Sequence, residues 1–401
     1  MKQKINLAMT MAALGCGTLT ILFATAVHAD LAEFNAINAA ARAARERGDN
    51  AALLANMRKM AAMVPGHPAA EIGLARALAV NGDGAGAVAQ LKRIADLGFS
   101  FKASDDAAFQ KMKDDPDFVA VAQRLAANGK GTGRGKDIIK LGLTGGSEGV
   151  AFSETTKSFL MGSSGSIYSY KLDGKDPAKP IAKAGGAQIL GIRPDPASGS
   201  FLVCVDEADG SNAAVVRHNE SSGEIEESYK LPTKNAYCND IALLKNGSFA
   251  VTDSNNGIVF HLVDGKLEPL ALAMPLYYPN GIASDLDKNR LYVSHAGGLV
   301  VHDMATGKSR ELAVTGTFIG ALDGMVWHKG SLVGVQNPRD AAIRLLRITP
   351  DADAQTAKVE VLLVGTDFPG HASTVAVAGD EAFVIGTSGE REEPVLIRVS
   401  L

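Results

Sequence analysis

Four residues with oxygen-bearing side chains open similar short segments of the chain, and their types could do metal chemistry. They are Glu148, Asn239, Asn280 and Asp323, and each is followed by an apolar run. Carboxylate and amide oxygens are the ligands that Ca²⁺ and Mg²⁺ prefer. A divalent cation with positions left open to water can polarise an ester carbonyl and stabilise the oxyanion that forms. The pattern therefore predicts metal-assisted hydrolysis if the fold brings the four side chains together.

Six sequence repeats must position these residues. Each repeat has an apolar run, a turn and a second apolar run, and the starts lie 42, 49, 41, 43 and 50 residues apart. The repeats open at Glu148, Leu190, Asn239, Asn280, Asp323 and Ser373. This period is typical of β-propeller blades, and a blade that cannot bury both faces alone must stack on its neighbours. We therefore expect one closed ring in which the six opening residues converge at the mouth of a central channel.

Ring closure is expected to involve both ends of this region. Residues 137–143 and 395–401 each form a strand-like apolar run outside the six repeats. Pairing of the two runs in one sheet would remove the exposed edges that an open ring leaves. The sequence therefore predicts an all-β six-bladed β-propeller over residues 137–401.

The region before the propeller has a different composition. Residues 30–128 are rich in alanine and carry apolar residues at helical spacing. The predicted helices are Asn35–Glu46, Ala51–Val64, Ala69–Val80 and Ala85–Leu97, with a last pair at Ser104–Met112 and Pro116–Ala127. Turns at Gly48 and Gly82 recur with the period of tetratricopeptide hairpins. The expected fold class is thus α+β with two domains, a short tetratricopeptide-like array and a propeller, joined by a Gly-rich basic linker at residues 129–136.

The function of this helical array stays open between two alternatives. It could present a groove that binds a protein partner, or it could cap the propeller or mediate self-association.

The chain begins with features of a secretory signal peptide. Two lysines precede a long apolar stretch, and small residues precede Asp30. We predict removal of residues 1–29 and a periplasmic or secreted protein with no stable membrane span, with a retained anchor as the alternative. Cleavage would leave Cys204 and Cys238, which either form a disulfide in an oxidising compartment or are buried as two thiols.

Charge and composition exclude one class of partner. The formal net charge is −4, and Asp and Glu outnumber Lys and Arg, 44 to 40. Because a nucleic-acid-binding surface needs an excess of basic residues, no nucleic-acid partner is expected.

The ordered motifs carry a resemblance to a known family. Glu148-Gly149, Asn239-Asp240, Pro279-Asn280-Gly281 and Asp323-Gly324-Met325, at blade spacing, resemble the regucalcin/gluconolactonase (senescence marker protein-like) family. Its members are six-bladed propellers that hydrolyse lactones with a divalent metal. The resemblance implies that Glu148, Asn280 and Asp323 bind the metal. It also implies that Asn239 faces the substrate or completes the coordination, and that Asp323 is the catalytic base or orients water.

The metal is expected to be Ca²⁺, with Mg²⁺, Mn²⁺ or Zn²⁺ as alternatives. For any single Asn-Gly or Asp-Gly pair, the competing interpretation is a simple turn.

Three further side chains are candidates for substrate binding. Tyr237 stands where sugar lactonases of this type carry an arginine, so a more apolar substrate is a hypothesis. His295 ends a returning strand, where it is either a proton shuttle or a hydrogen-bonded wall residue. His371 lies in a loop before the last blade and is the better candidate for the mouth.

Two functions remain in view. The first is a metal-dependent hydrolase acting on a small-molecule lactone or related ester. The second is a non-catalytic scaffold or ligand-binding protein of the cell envelope, in which any metal is structural, because propellers host binding proteins as readily as enzymes.

Overall fold

The computed structural model describes residues 31–135, 137–143, 147–174, 176–207, 211–388 and 393–401. The predicted signal peptide lies outside these residues. None of the helices in the described part of the chain has the length and apolar character needed to span a bilayer.

The strands form six antiparallel sheets of four strands each, which confirms the six-bladed propeller. The first three blades contain β2 Val150–Ser153, β3 Ser158–Ser163, β4 Ser166–Lys171, β5 Lys179–Lys183; β6 Gln188–Asp195, β7 Ser200–Asp206, β8 Ala214–Asn219, β9 Ile225–Lys230; β10 Cys238–Leu243, β11 Phe249–Asp253, β12 Ile258–Val263, β13 Lys266–Pro269. The last three contain β14 Ile282–Asp285, β15 Arg290–His295, β16 Gly298–Asp303, β17 Lys308–Glu311; β18 Leu322–His328, β19 Ser331–Gln336, β20 Arg344–Pro350, β21 Ala357–Val364; β22 Ala372–Ala378, β23 Glu381–Ser388, β24 Glu393–Ser400.

The ring closes as the sequence predicts. Strand β1, Asp137–Lys140, pairs antiparallel with β24 in the last blade, with Asp137 opposite Arg398 and Lys140 opposite Val395. Because the first strand of the chain completes the last sheet, the ring cannot open without losing this pairing.

Stacking of neighbouring blades buries the second strand of each sheet. Every residue of β7 is buried, whereas the outer strand β9 is mostly exposed. Phe159 of the first blade packs on Phe383 of the last, with ring centroids 4.6 Å apart. A disulfide joins Cys204 of β7 to Cys238 of β10 in the next blade, so of the two alternatives for the cysteines the structure has the bonded one.

The described part of the N-terminal region, from residue 31 onward, contains five helices and two short 3₁₀ turns. They are α1 at residues 31–46, α2 Asn50–Met63, α3 Pro68–Val80, α4 Gly84–Asp96 and α5 Pro116–Asn128, with 3₁₀ turns at Ala103–Asp105 and Ala107–Met112. Asp49 and Asp83 cap α2 and α4 by accepting hydrogen bonds from backbone amides, and this explains the recurring Gly-Asp turns.

One predicted helix in this region is absent. Residues 104–112 form 3₁₀ turns instead, because Asp106 accepts a hydrogen bond from the Ala108 amide and starts a new turn there. The helices α2 to α5 pack in succession, but so few helices do not identify a tetratricopeptide array. That likeness remains a prediction.

The helices dock onto the propeller through a buried arginine. Arg344 of β20 is 1% exposed, and its guanidinium lies 3.9 Å from the centroid of the Phe99 ring. It donates hydrogen bonds to Leu97 O at the end of α4 (3.2 Å) and to Phe318 O (3.0 Å). Burial lowers the pKa of Arg344 to about 9, which leaves it charged at neutral pH. Carbonyl oxygens and a helix C-terminus therefore balance this charge.

The predicted linker also contacts the propeller. The amides of Thr132 and Gly133 donate hydrogen bonds to the Asp367 carboxylate over 2.7 and 3.0 Å. Asp367 ends the 3₁₀ turn Gly365–Asp367, so the described part of the linker is fixed to the propeller rather than free.

We expect Arg344→Met to lower the free energy of unfolding by about 3 kcal/mol, because it leaves buried carbonyls at the junction without donors. Urea denaturation followed by circular dichroism measures this loss. Arg347→Met is the matched control on the same strand: Arg347 pairs with the partly exposed Glu360, so its loss should stay within about 1 kcal/mol. Equal losses in the two variants would contradict a special role for Arg344 at the junction.

Candidate functional site

The residues that open the six blades gather at one end of the channel. Five of them line a single narrow cavity there: Glu148, Leu190, Asn239, Asp323 and Ser373. The sixth, Asn280, donates a hydrogen bond from Nδ2 to Asp323 Oδ1 over 3.0 Å. Residues separated by up to 225 positions thus lie together, as in the contact of Ser373 Oγ with Glu148 O.

The glycines that follow these residues let the inner strands approach closely. A Cβ on Gly191 would lie 2.7 Å from Asp240 Cα, and one on Gly281 would lie 2.9 Å from Asp323 O. Neither glycine has a positive φ, and Asp323 and Gly324 lie inside β18, so the structure has no turns at these pairs. The turn interpretation is therefore wrong for Asn280-Gly281 and Asp323-Gly324. The glycines are needed for close packing.

Asp240 takes the place of such a glycine after Asn239. Its Oδ1 accepts a hydrogen bond from the Ile241 amide (2.8 Å), and its Oδ2 accepts one from Ile282 of the next blade (3.1 Å). Arg193 Nη2 lies 3.4 Å from the same carboxylate. Both oxygens of Asp240 therefore accept backbone hydrogen bonds, one of them from the next blade, although the side chain also lines the narrow cavity.

Both carboxyl groups of the ring have a raised pKa. The pKa of Asp323 is raised to about 7, mainly by burial and further by the negative charge of Glu148, while hydrogen bonds from Asn280 and Asn337 oppose the rise. Glu148 reaches open solvent in the channel, yet the surrounding protein raises the pKa of its carboxyl and His371 opposes this. Two acids that resist ionising side by side are typical of a site that binds positive charge.

The donor set fits a hard cation. Asn280 Oδ1 is buried and, among the described residues, accepts no hydrogen bond. Such an orphaned oxygen beside Asp323 can serve a ligand that the protein itself does not supply. Within the same residues no group of three or more His, Cys, Asp or Glu could hold a metal ion. A cation here would therefore depend on Glu148 and Asp323 together with amide oxygens, a set suited to Ca²⁺ or Mg²⁺.

The predicted substrate-binding residues Tyr237 and His371 lie beside this ring. Burial raises the pKa of Tyr237 to about 12, and the negative charges of Glu148 and Asp323 add to the rise, so its phenol stays protonated. Asn239 is oriented by a hydrogen bond from its Nδ2 to Ser254 Oγ over 2.9 Å.

Asn337 connects the two sides of the site and is a residue that sequence reasoning missed. Its Nδ2 lies 2.7 Å from His371 Nε2, and its side chain also acts on the Asp323 carboxyl group, where it opposes the rise in pKa. Its position directly after strand β19 is the signal that could have drawn attention to it.

His295 lies apart from the ring. It is 3% exposed, and its Nδ1 accepts hydrogen bonds from the amides of Tyr277 (3.3 Å) and Gly297 (3.2 Å). Burial lowers its pKa to about 4, so it is neutral at pH 7. It does not line either cavity at the mouth, and this geometry favours the wall-residue interpretation over the proton shuttle.

The helices roof the mouth. A cavity of about 550 Å³ lies between them and the propeller, and we call it the roofed cavity. Asn280, Asp323 and Asn337 form part of its floor, and Phe34, Met57 and Met60 form part of its roof. Phe34 of α1 stacks on Tyr277 of the propeller with ring centroids 4.9 Å apart. A ligand at Asp323 would therefore touch both regions of the chain.

Comparisons with known proteins find structural likenesses but no family. No family model and no curated protein match the sequence. The structure is similar to a gluconolactonase from Xanthomonas campestris (18% identity, 67% of this chain and 91% of that chain, TM-score 0.48). It is also similar to a luciferin-regenerating enzyme (19% identity, 66% of this chain and 95% of that chain, TM-score 0.48). A third similar structure is virginiamycin B lyase from Staphylococcus aureus (13% identity, 66% of this chain and 99% of that chain, TM-score 0.47). Identities and TM-scores this low establish no activity for this chain.

The raised pKa of Asp323 makes stability depend on pH when no cation is bound. The native state holds the proton of the Asp323 carboxyl group more tightly than the unfolded chain does. The contribution of this proton to folding stability is therefore complete below the ordinary pKa of 3.8 and is lost as the pH rises through about 7. In chelator, we expect Asp323→Asn to be more stable than wild type at pH 8, by a margin that shrinks toward pH 5. Thermal unfolding at both pH values measures it.

The control for this prediction is Asp264→Asn, which removes an exposed carboxylate from a hairpin turn and should follow wild type at both pH values. A margin for Asp323→Asn that does not change with pH would contradict the assignment.

Proposed function

We propose that this protein is a divalent-metal-dependent hydrolase of a lactone or related ester, working in the periplasm or outside the cell. The observation that carries the proposal is the pairing of Asp323 with Asn280 at the mouth, with Asn280 Oδ1 buried and unpartnered among the described residues. Glu148 stands across the same narrow cavity. The disulfide supports the location, because disulfides persist in oxidising compartments.

Ester hydrolysis at this site needs a cation, a base for the attacking water, a hydrogen-bond donor to the substrate and a path for the proton to the leaving oxygen. A divalent cation held by Glu148, Asn280 and Asp323 would polarise the ester carbonyl and stabilise the negative charge that develops on its oxygen. Hydrolysis then joins the oxygen of water to the carbonyl carbon, breaks the bond from that carbon to the leaving oxygen, and moves one proton from the water to that oxygen.

The protein's own side chains divide this work. Asp323 orients the attacking water and accepts its proton, and the hydrogen bond from Asn280 holds the carboxylate in place. Tyr237 keeps its proton and can donate a hydrogen bond to the substrate. His371 lies exposed at the mouth, within reach of Glu148 and Asn337, and offers a path for the proton to the leaving oxygen.

The experiment is a turnover screen with paired metal analysis. Purified protein is tested on a panel of lactones and aryl esters, with and without chelator and with added Ca²⁺, Mg²⁺, Mn²⁺ or Zn²⁺. We expect turnover that chelator abolishes, and a fall of at least about 100-fold in kcat for Asp323→Asn and Glu148→Gln. Both variants should also bind less metal, because each removes a charged ligand.

The control Asp264→Asn should keep wild-type turnover and metal content. The absence of bound metal and of metal-dependent turnover across the panel would contradict the proposal and favour the scaffold alternative.

A further inference from the structure

The roofed cavity contains more positive charge than the proposed hydrolysis requires. Three arginines line it: Arg42 and Arg45 of α1, and Arg339, which follows strand β19. Among the described residues none of the three forms an ion pair, whereas Arg76 nearby pairs with Asp340 over 3.1 Å. All three are exposed, so their guanidinium groups are accessible to a ligand in the cavity.

The helical spacing explains how two of these arginines reach one cavity. Phe34, Asn38, Ala41, Arg42 and Arg45 of α1 all line it, and positions three or four residues apart share one face of a helix. Contacts near the N-terminus of α1 attach the helix to the propeller. Tyr278 Oη lies 3.4 Å from Asn35 Oδ1, and Phe34 stacks on Tyr277. The arginines are therefore presented to the cavity by a docked element.

The floor of the cavity carries the carboxyl group of Asp323, so without a bound cation it disfavours anionic ligands. Asp323 lies on the floor, and the charge of Glu148 acts on it. An anionic ligand would be repelled there unless positive charge stood nearby. His67, also in the lining, does not supply it, because burial lowers its pKa to about 4. Among the described lining residues, the three arginines are the side chains that can, in addition to any cation held at Asp323.

We infer that the helical region is the substrate-recognition element of the site, and that the substrate is a lactone or ester bearing a carboxylate, which Arg42, Arg45 and Arg339 bind. A guanidinium matches the two oxygens of a carboxylate with two parallel hydrogen bonds. This inference rests on the proposed function for the reacting group. It also accounts for the tyrosine at position 237, where sugar lactonases of the similar family carry an arginine. In this chain α1 brings guanidinium groups to the mouth instead.

The test compares two lactones that differ in one group, γ-butyrolactone and γ-carboxy-γ-butyrolactone, with wild type and with Arg42→Ala/Arg45→Ala. We expect wild type to prefer the carboxylate-bearing ring, and the ratio of the two kcat/KM values to fall about 10- to 100-fold in the double variant. Arg339→Ala should lower the same ratio, and Arg45→Glu should lower it further by repulsion. Arg47→Ala, which removes an exposed arginine outside the cavity lining, should leave the ratio unchanged.

A binding measurement separates this inference from the proposed function. In chelator, calorimetry should show that hydroxyglutarate, the opened form of the carboxylate-bearing lactone, binds wild type more tightly than the double variant, with or without any turnover. Inorganic phosphate is the comparison anion. If the lactones are hydrolysed but neither the ratio nor hydroxyglutarate binding responds to the arginines, the inference is wrong and the hydrolase stands. Arginine-dependent binding of phosphate but not of hydroxyglutarate would overturn the assignment of a carboxylate.

Discussion

The close approach of six inner strands around one axis is the constraint on which the rest of this structure depends. At Gly149 an added Cβ would overlap the Leu190 carbonyl oxygen, and Gly191, Gly281 and Gly324 are confined in the same way. Strands this close bring the preceding side chains to the channel, where two carboxyls and several amides share little space. The raised pKa of Asp323 follows from that crowding. The narrow ring therefore explains both the need for glycine at these positions and the raised pKa of Asp323.

The helical region changes what the propeller can bind. Without it the mouth would be open to water, and Asp323 would face solvent on the channel axis. With it the mouth becomes a cavity walled by Phe34, Met57 and Met60 on one side and by propeller loops on the other. Arg344 of β20 stabilises this arrangement because its guanidinium group donates hydrogen bonds to backbone carbonyls, including one at the end of α4. The two regions thus line one cavity.

The buried polar groups divide into those that hold the fold and those that remain available to a ligand. Both carboxylate oxygens of Asp240 and the Nδ1 atom of His295 accept hydrogen bonds from backbone amides, and these two residues belong to the walls. Asn280 Oδ1 and His67 Nδ1 have no partner among the described residues, and both side chains line the roofed cavity. Burying a polar atom without a partner is unfavourable by roughly 1–3 kcal/mol, so a ligand that supplies the missing contact gains correspondingly.

The sequence by itself determined the number of blades, the closure by terminal strands and the residues that open each blade, because a repeat that must bury both faces has few ways to stack. It could not decide whether Asn280-Gly281 was a turn or whether Cys204 and Cys238 were joined, and it did not show that Asn337 acts on both Asp323 and His371. Those outcomes depend on distances between blades. The roof was beyond sequence reasoning for the same reason. The periodicity of α1 predicts a helix with one apolar face, but only the docked structure shows that Arg42 and Arg45 line the same cavity as Asp323.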